Sequence, residues 1–164
     1  MARPNVFKAE FQPAGGEAGF SAMFASLGRM AGGQRLGVSV YVLEPGETPF
    51  PYHFHRANEE LLVALEGTPT VRTPEGEREL AEGEAVAFPP GPLAAHQVTN
   101  RSSSPVRYLM FSTMIRPEMV QYPDSGKVAT TSLPQEGDPP DTFPRFVFRE
   151  GDAVGYYDGE QAPS

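Results

Sequence analysis

The sequence predicts an all-β domain, an antiparallel barrel or sandwich, and three observations lead there. The chain holds 17 glycines and 18 prolines in 164 residues, a content that favours short strands joined by tight turns over long helices. Apolar residues recur with a period of two in short runs, as in Leu36-Gly37-Val38-Ser39-Val40-Tyr41-Val42-Leu43, where Leu36, Val38, Val40 and Val42 share one face. Turn residues separate such runs at the close spacing typical of barrels and sandwiches. The length suits one buried core and is short for two. The expected organisation is a single domain: an N-terminal arm with the first strand or strands over 1–35, a barrel over 36–114 and an extended C-terminal strap over 115–164.

Taken in order, residues 2–19 are rich in Gly, Pro and Ala without a sustained period and read as an irregular arm anchored by Phe7 and Phe11. Phe20 to Leu27 alternates as a strand, and Gly32-Gly33 turns into the run at 36–43. Glu44-Pro45-Gly46-Glu47 is a turn, because proline presets φ and glycine accepts a positive one. Strands follow at 50–55, 60–66, 69–73, 77–80, 84–88, 96–99 and 106–113. Val106 to Phe111 is apolar on nearly both faces, as expected between two covered surfaces. Beyond Met114 the pattern degrades into a Pro-, Asp- and Gly-rich stretch from Arg116 to Asp141, read as the strap. Phe143 to Arg149 reads as a last strand, and residues 152–158 as a short turn or helix packing by its tyrosines.

The net charge is -8, so no positive excess is available to neutralise phosphates, and nucleic acid and anionic membrane surfaces are excluded as expected partners. A small molecule is the expected one. With no cysteine, any metal must be held by nitrogen and oxygen. No run of about 18 apolar residues occurs, and no export signal opens the chain, which makes a cytoplasmic location the default expectation.

All three histidines lie in two short cassettes, and histidine serves mainly as a ligand or a proton carrier. His53 and His55 are separated by one residue, so on a strand both imidazoles point to one face and can reach one ion. Glu60 follows across a short connection at the start of the next strand, with Glu59 facing the opposite way. His96 arrives on a later strand behind Pro89-Pro90-Gly91-Pro92, a rigid corner that fixes where the strand begins. His53, His55, Glu60 and His96 are therefore the expected ligands of one divalent transition metal, drawn from Fe, Mn, Ni, Co and Zn, and poorly matched to Cu(I) or Ca²⁺. An octahedral ion would keep two positions open, whereas structural zinc sites are usually closed tetrahedra with thiolates. Glu60 is also the candidate catalytic residue, a proton acceptor should it detach from the ion.

On these residues the sequence resembles the cupin family. Its first motif is matched by Gly46, His53, His55, Glu60 and Gly67, its second by Gly83, Pro89, Gly91, His96 and Asn100. Two spacings depart from the pattern: six residues instead of five between Gly46 and His53, and four instead of two between Gly91 and His96. The resemblance covers residues 36–113 and leaves both arms outside. It implies a double-stranded β-helix, or jelly-roll barrel, with the metal near its middle, substrate entering at one mouth, and a homodimer. The reaction is not implied, because similar barrels host oxygenases, isomerases, decarboxylases and binding proteins.

Around the ligands, Leu62 and Ala64 share the face of Glu60, and Val98 lies near His96, suggesting an apolar lining for a small, partly apolar substrate with a chelating oxygen group. Asn100 reads as a turn residue. Phe50, Tyr52 and Phe54 alternate with the histidines and should face away from the metal, packing on the arm or a second subunit. Gln97, Arg72, Tyr41 and Tyr108 read as packing or solvated positions before pocket groups. The leading functional expectation is a metalloenzyme acting on a small organic molecule, by dioxygenase-like or Lewis-acid chemistry. The alternative is a non-catalytic small-molecule or metal-chelate binding protein. A sugar-phosphate isomerase ranks third, since no cluster of Lys and Arg surrounds the ligands to take a phosphate.

Overall fold

The computed structural model describes residues 2–16, 18–132 and 145–162. The N-terminal part carries β1 (Gln12–Gly15), β2 (Ser21–Ala25), one helical turn α1 (Leu27–Met30) and β3 (Gly37–Leu43). The middle carries β4 (Phe54–His55), β5 (Glu60–Glu66), β6 (Thr70–Thr73), β7 (Gly76–Glu79), β8 (Ala85–Phe88), β9 (Gln97–Thr99) and β10 (Val106–Ser112). The C-terminal part adds β11 (Glu118–Tyr122), β12 (Lys127–Thr131) and β13 (Arg145–Arg149). They form a six-stranded sheet ordered β1-β2-β3-β10-β5-β8, a four-stranded sheet β13-β12-β11-β4 and a three-stranded sheet β7-β6-β9. Every pairing among them is antiparallel. The all-β expectation holds.

Strand alternation decides what each sheet covers. On the inner side Leu43, Leu62, Leu80, Val106 and Tyr108 are no more than 1% exposed and pack with Val71 and Phe88. On the outer side Val40, Ala25 and Leu27 are covered by Val6, Ala9 and Phe11 of the arm. Each such aliphatic side chain contributes about 1.5–3 kcal/mol by leaving water. β10 therefore runs between two covered surfaces, with Tyr108 inward and Leu109 against the arm cluster. Gly67 closes β5 with φ +70°, where a Cβ would stand 3.0 Å from Val106 Cγ1; both the positive φ and the close approach call for glycine there.

Several expectations change. The arm is only partly irregular, since β1 pairs with β2, and of its two phenylalanines Phe11 packs on the barrel while Phe7 stays half exposed. The strand from Phe20 ends at Ala25, and Leu27 begins the helical turn instead. The strand expected over 50–55 shrinks to Phe54–His55, because Pro49 and Pro51 have no N–H to donate to a ladder. The strap is a β-hairpin in its described part: β11 pairs with β12 and also with β4, placing Val120 opposite His55 and Gln121 opposite Phe54. Arg72 on β6 ties the hairpin turn by a two-point contact with Asp124 at 2.6 and 2.9 Å. Residues 133–144, which include part of the strap and the start of the expected last strand, lie outside the described residues. The terminal tyrosines do not pack on the barrel: Tyr156 and Tyr157 contact each other edge to face and are 89% and 78% exposed. No helix among the described residues is long and apolar enough to cross a membrane.

Candidate metal centre

His53 and His96 are set opposite each other by reciprocal backbone hydrogen bonds, His53 N–H to His96 O at 3.1 Å and His96 N–H to His53 O at 2.8 Å. The corner before His96 makes a short 3-10 turn at Pro92–Ala94 after Gly91 at φ +118°. Phe88 stacks on the His96 ring at 3.8 Å between centroids and fixes its plane. Glu60, at the start of β5, is held between Phe88 of β8 and Ser112 of β10. The ring centroids of His53 and His96 are 4.7 Å apart, and those of His53 and His55 5.2 Å.

One ligand atom from each of His53, Glu60 and His96 falls within 4.8 Å of the others, close to the span of about 4.0–4.4 Å that two bonds to one ion reach. His55 stands beside this trio, its Nε2 3.3 Å from Glu60 Oε2, and the His96 Nε2 is 3.2 Å from the same oxygen. The His96 ring is 2% exposed, yet its Nε2 has no hydrogen-bond partner among the described residues, because the approach to Glu60 lies outside hydrogen-bond geometry. A buried orphan nitrogen beside an anionic oxygen and a second imidazole fits a cation. His53 and His96 are set up for it, since their Nδ1 atoms lie 2.8 and 3.1 Å from the carbonyl oxygens of Pro51 and Ala94, which leaves each Nε2 free.

Electrostatics separates the groups. Burial, then repulsion from His96 and His55, pushes the His53 pKa down to about 4, so this ring is neutral and ready to ligate. Burial alone would raise the Glu60 carboxyl, but the imidazoles of His55 and His96 outweigh it and hold it well below the usual carboxylate range. Burial would lower His55, and Glu60 followed by Glu118 outweighs that, so its pKa is raised. Burial and the charge of Glu60 push the Tyr41 hydroxyl up to about 12, and the same two effects with Tyr41 itself push Tyr108 well up. Both hydroxyls stay protonated, as neutral donors facing an anionic site.

The trio opens onto a cavity of about 480 Å³ walled by Tyr41, Phe50, Tyr108 and Tyr122, with Gln97 and Lys127 as polar groups. A second hollow of about 270 Å³ reaches His55, Glu60 and Tyr41 from the side of Ser39, Ser112 and Glu118. Val98 lines the cavity as expected, while Leu62 and Ala64 sit in the core. Phe50 does not face away; it lies edge to face with Tyr41 and His53. Tyr52 and Phe54 do face away, packing with Ala95 beneath the guanidinium groups of Arg72 and Arg56 instead of on the arm. Asn100 is a turn residue, fully buried and bonded to Leu43 O and Ser104 O.

Residues 39–112 match the family model described as Cupin domain. The barrel over these residues is a cupin domain. No curated protein matches it. Among solved structures, this cupin is similar to a cupin-superfamily protein of Silicibacter pomeroyi described as a sugar phosphate isomerase, with TM-score 0.75 and 22% identity over 95% of this chain and 98% of that one. A protein of Acidithiobacillus ferrooxidans, provisionally given the same description, has TM-score 0.75 and 23% identity over 90% and 88% of the two chains. The polyketide cyclase RemF of Streptomyces resistomycificus has TM-score 0.57 and 23% identity over 71% and 82%. At these identities the likeness concerns the fold.

Sequence reasoning missed Glu118, Val120, Tyr122 and Lys127, which the C-terminal hairpin brings to this cupin's centre. A signal was present: Glu118, Val120 and Tyr122 alternate, and Pro123-Asp124-Ser125-Gly126 is a turn.

Proposed function

We propose that this cupin is a metal-dependent enzyme acting on a small, planar, oxygen-chelating organic molecule. His53, His55, Glu60 and His96 would hold one divalent transition metal. The observation that carries the reading is the wall of Tyr41, Phe50, Tyr108 and Tyr122 around the open side of the histidine and glutamate cluster. When bound, the ion supplies Lewis acidity and a place where substrate oxygen, water or dioxygen can meet. The chain's own residues do the rest. The aromatic wall takes a flat apolar body and excludes water. Tyr41 and Tyr108 keep their protons and donate to a substrate oxygen. Lys127, the one lysine or arginine among the described residues lining this cavity, meets an anionic or enolic oxygen, and Glu60 is the proton acceptor once detached from the ion.

The neighbours described as sugar phosphate isomerases suggest a second reading, and the aromatic cavity argues against it: a phosphate dianion there would meet a single lysine and an aromatic wall, while Arg116 lines the separate, smaller hollow. The deciding experiment incubates Mn-, Fe-, Ni-, Co- and Zn-loaded protein with β-diketones, catechols, aromatic hydroxy acids and sugar phosphates, following product mass and oxygen uptake. Turnover within the planar oxygen-chelating group is the expected result. Turnover of sugar phosphates alone overturns it, and ligand-induced stabilisation without turnover makes the protein a binder.

A further inference from the structure

We propose that Glu118, carried by the C-terminal hairpin, is a positioning residue of the metal centre: it holds His55 through Nδ1 and turns Nε2 toward the ion. The proposal rests on the reading of His55 as a ligand.

The three histidines are anchored differently. His53 and His96 each direct Nδ1 at a backbone carbonyl two residues earlier, Pro51 O and Ala94 O. The equivalent carbonyl for His55 belongs to His53 and is already engaged by the amide of His96 at 2.8 Å. His55 Nδ1 is buried and has no hydrogen-bond partner among the described residues. The carboxylate oxygen Glu118 Oε2 stands 3.5 Å from it, and the two side chains are 17% and 6% exposed. A carboxylate behind the far nitrogen of a metal-bound imidazole fixes its tautomer and orientation and makes it a better donor.

Glu118 is itself held in place. Its Oε1 accepts the amides of Arg56, Ala57 and Met119 at 3.1, 3.2 and 2.8 Å. Its Oε2 accepts the Asn58 amide at 3.0 Å and the Asn58 side-chain N–H. The register of β11 against β4, with Val120 opposite His55, keeps Glu118 next to the ring although the two are far apart in sequence. One carboxyl group therefore organises both the turn leading to Glu60 and the imidazole before it. The hairpin belongs to the metal centre and is more than a cover on the barrel.

The test measures Zn²⁺ affinity of the full chain by competition titration for wild type, E118Q, H55A and the double variant. E118Q is expected to weaken binding about 10–100-fold in the wild-type background and less than about 3-fold in the H55A background, because the effect passes through His55. An equal factor in both backgrounds makes Glu118 a purely structural residue and overturns the proposal, as does no loss at all. Nitrogen-15 NMR of the metal-free wild type and E118Q, recorded at a pH where the His55 ring is neutral, supplies a readout independent of metal: the neutral ring must carry its proton on Nδ1 in the wild type and lose that preference in E118Q. An unprotonated Nδ1 overturns the proposal. Failure of the wild type to bind any metal sinks the metal reading instead, and the same spectrum still decides the role of Glu118.

Discussion

Replacing Glu60 with glutamine separates a metal centre from an ordinary buried polar cluster. In the metal-free protein the carboxylate lies 3.3 Å from His55 Nε2 and 3.2 Å from His96 Nε2, with its side chain 13% exposed. Contacts to charged groups are worth roughly 1.5–3 kcal/mol each when well formed, and these are long and offset by desolvation, so E60Q should cost about 1–2 kcal/mol without metal. With metal the loss is larger. An anionic ligand matters more than the outer partners whose removal weakens affinity about 10–100-fold, so a 100-fold loss is a lower bound. Free metal at about 1,000 times Kd stabilises by about 4.1 kcal/mol; after a 100-fold loss the same concentration is about 10 times Kd and gives about 1.4 kcal/mol. The additional 2.7 kcal/mol or so corresponds to a fall of about 5–11 °C in the metal-induced Tm shift at 2–4 °C per kcal/mol. Differential scanning calorimetry with and without Mn²⁺ or Zn²⁺ reads it directly. An E60Q protein whose metal-induced shift matches that of the wild type would refute the reasoning.

Other outcomes follow from the same geometry. Asn100→Ala leaves the carbonyls of Leu43 and Ser104 without their Nδ2 donor, which should cost about 2–4 kcal/mol and roughly 4–16 °C in Tm while metal stoichiometry stays the same; an unchanged Tm contradicts it. The metal-free protein should lose stability as pH falls from about 6.5 to about 4, because His53 titrates near 4 when folded and near 6.5 when unfolded; the window of about 2.5 units at 1.36 kcal/mol per unit gives about 3 kcal/mol. Glu60, depressed in the fold, adds acid sensitivity below about pH 4.5, whereas the raised His55 contributes stability that is lost only as pH rises above 6.5. Urea melts across this range, flattened between pH 6.5 and 4 by His53→Gln, check the sign. A homodimer is expected, since Phe146 on β13 is 67% exposed and Phe148 is also exposed on this outer strand; sedimentation should return twice 17.8 kDa, and a monomer at micromolar concentration contradicts it.

Much of the barrel was legible because its strands alternate between inside and outside and its turns are written in glycine and proline. β3, β5, β6, β8 and β10 fall within a residue or two of their expected bounds. His53, Glu60 and His96 converge because strand alternation and the proline corner leave those side chains few directions. The failures have physical causes. Prolines 49 and 51 interrupt the ladder where alternation alone implied a six-residue strand, so Phe50 escapes the pattern and turns into the cavity. The C-terminal hairpin was hidden by the turn-forming residues that build it, and its partner strand is the two-residue β4, too short to advertise a pairing. The strand that carries Glu118 left a signal in its alternation, but the contact of Glu118 with His55 was unreadable, since it exists only through the β11–β4 register and no local spacing encodes that.

The central claim is a single ion held by His53, His55, Glu60 and His96. Anomalous diffraction from crystals of the full chain grown with Mn²⁺, collected around the manganese edge, tests it in one experiment. One peak per chain enclosed by the imidazoles of His53, His55 and His96 and the Glu60 carboxylate is the predicted result. A peak held by other residues, or a centre that stays empty at saturating Mn²⁺ while Zn²⁺ and Co²⁺ also fail to enter, would contradict it.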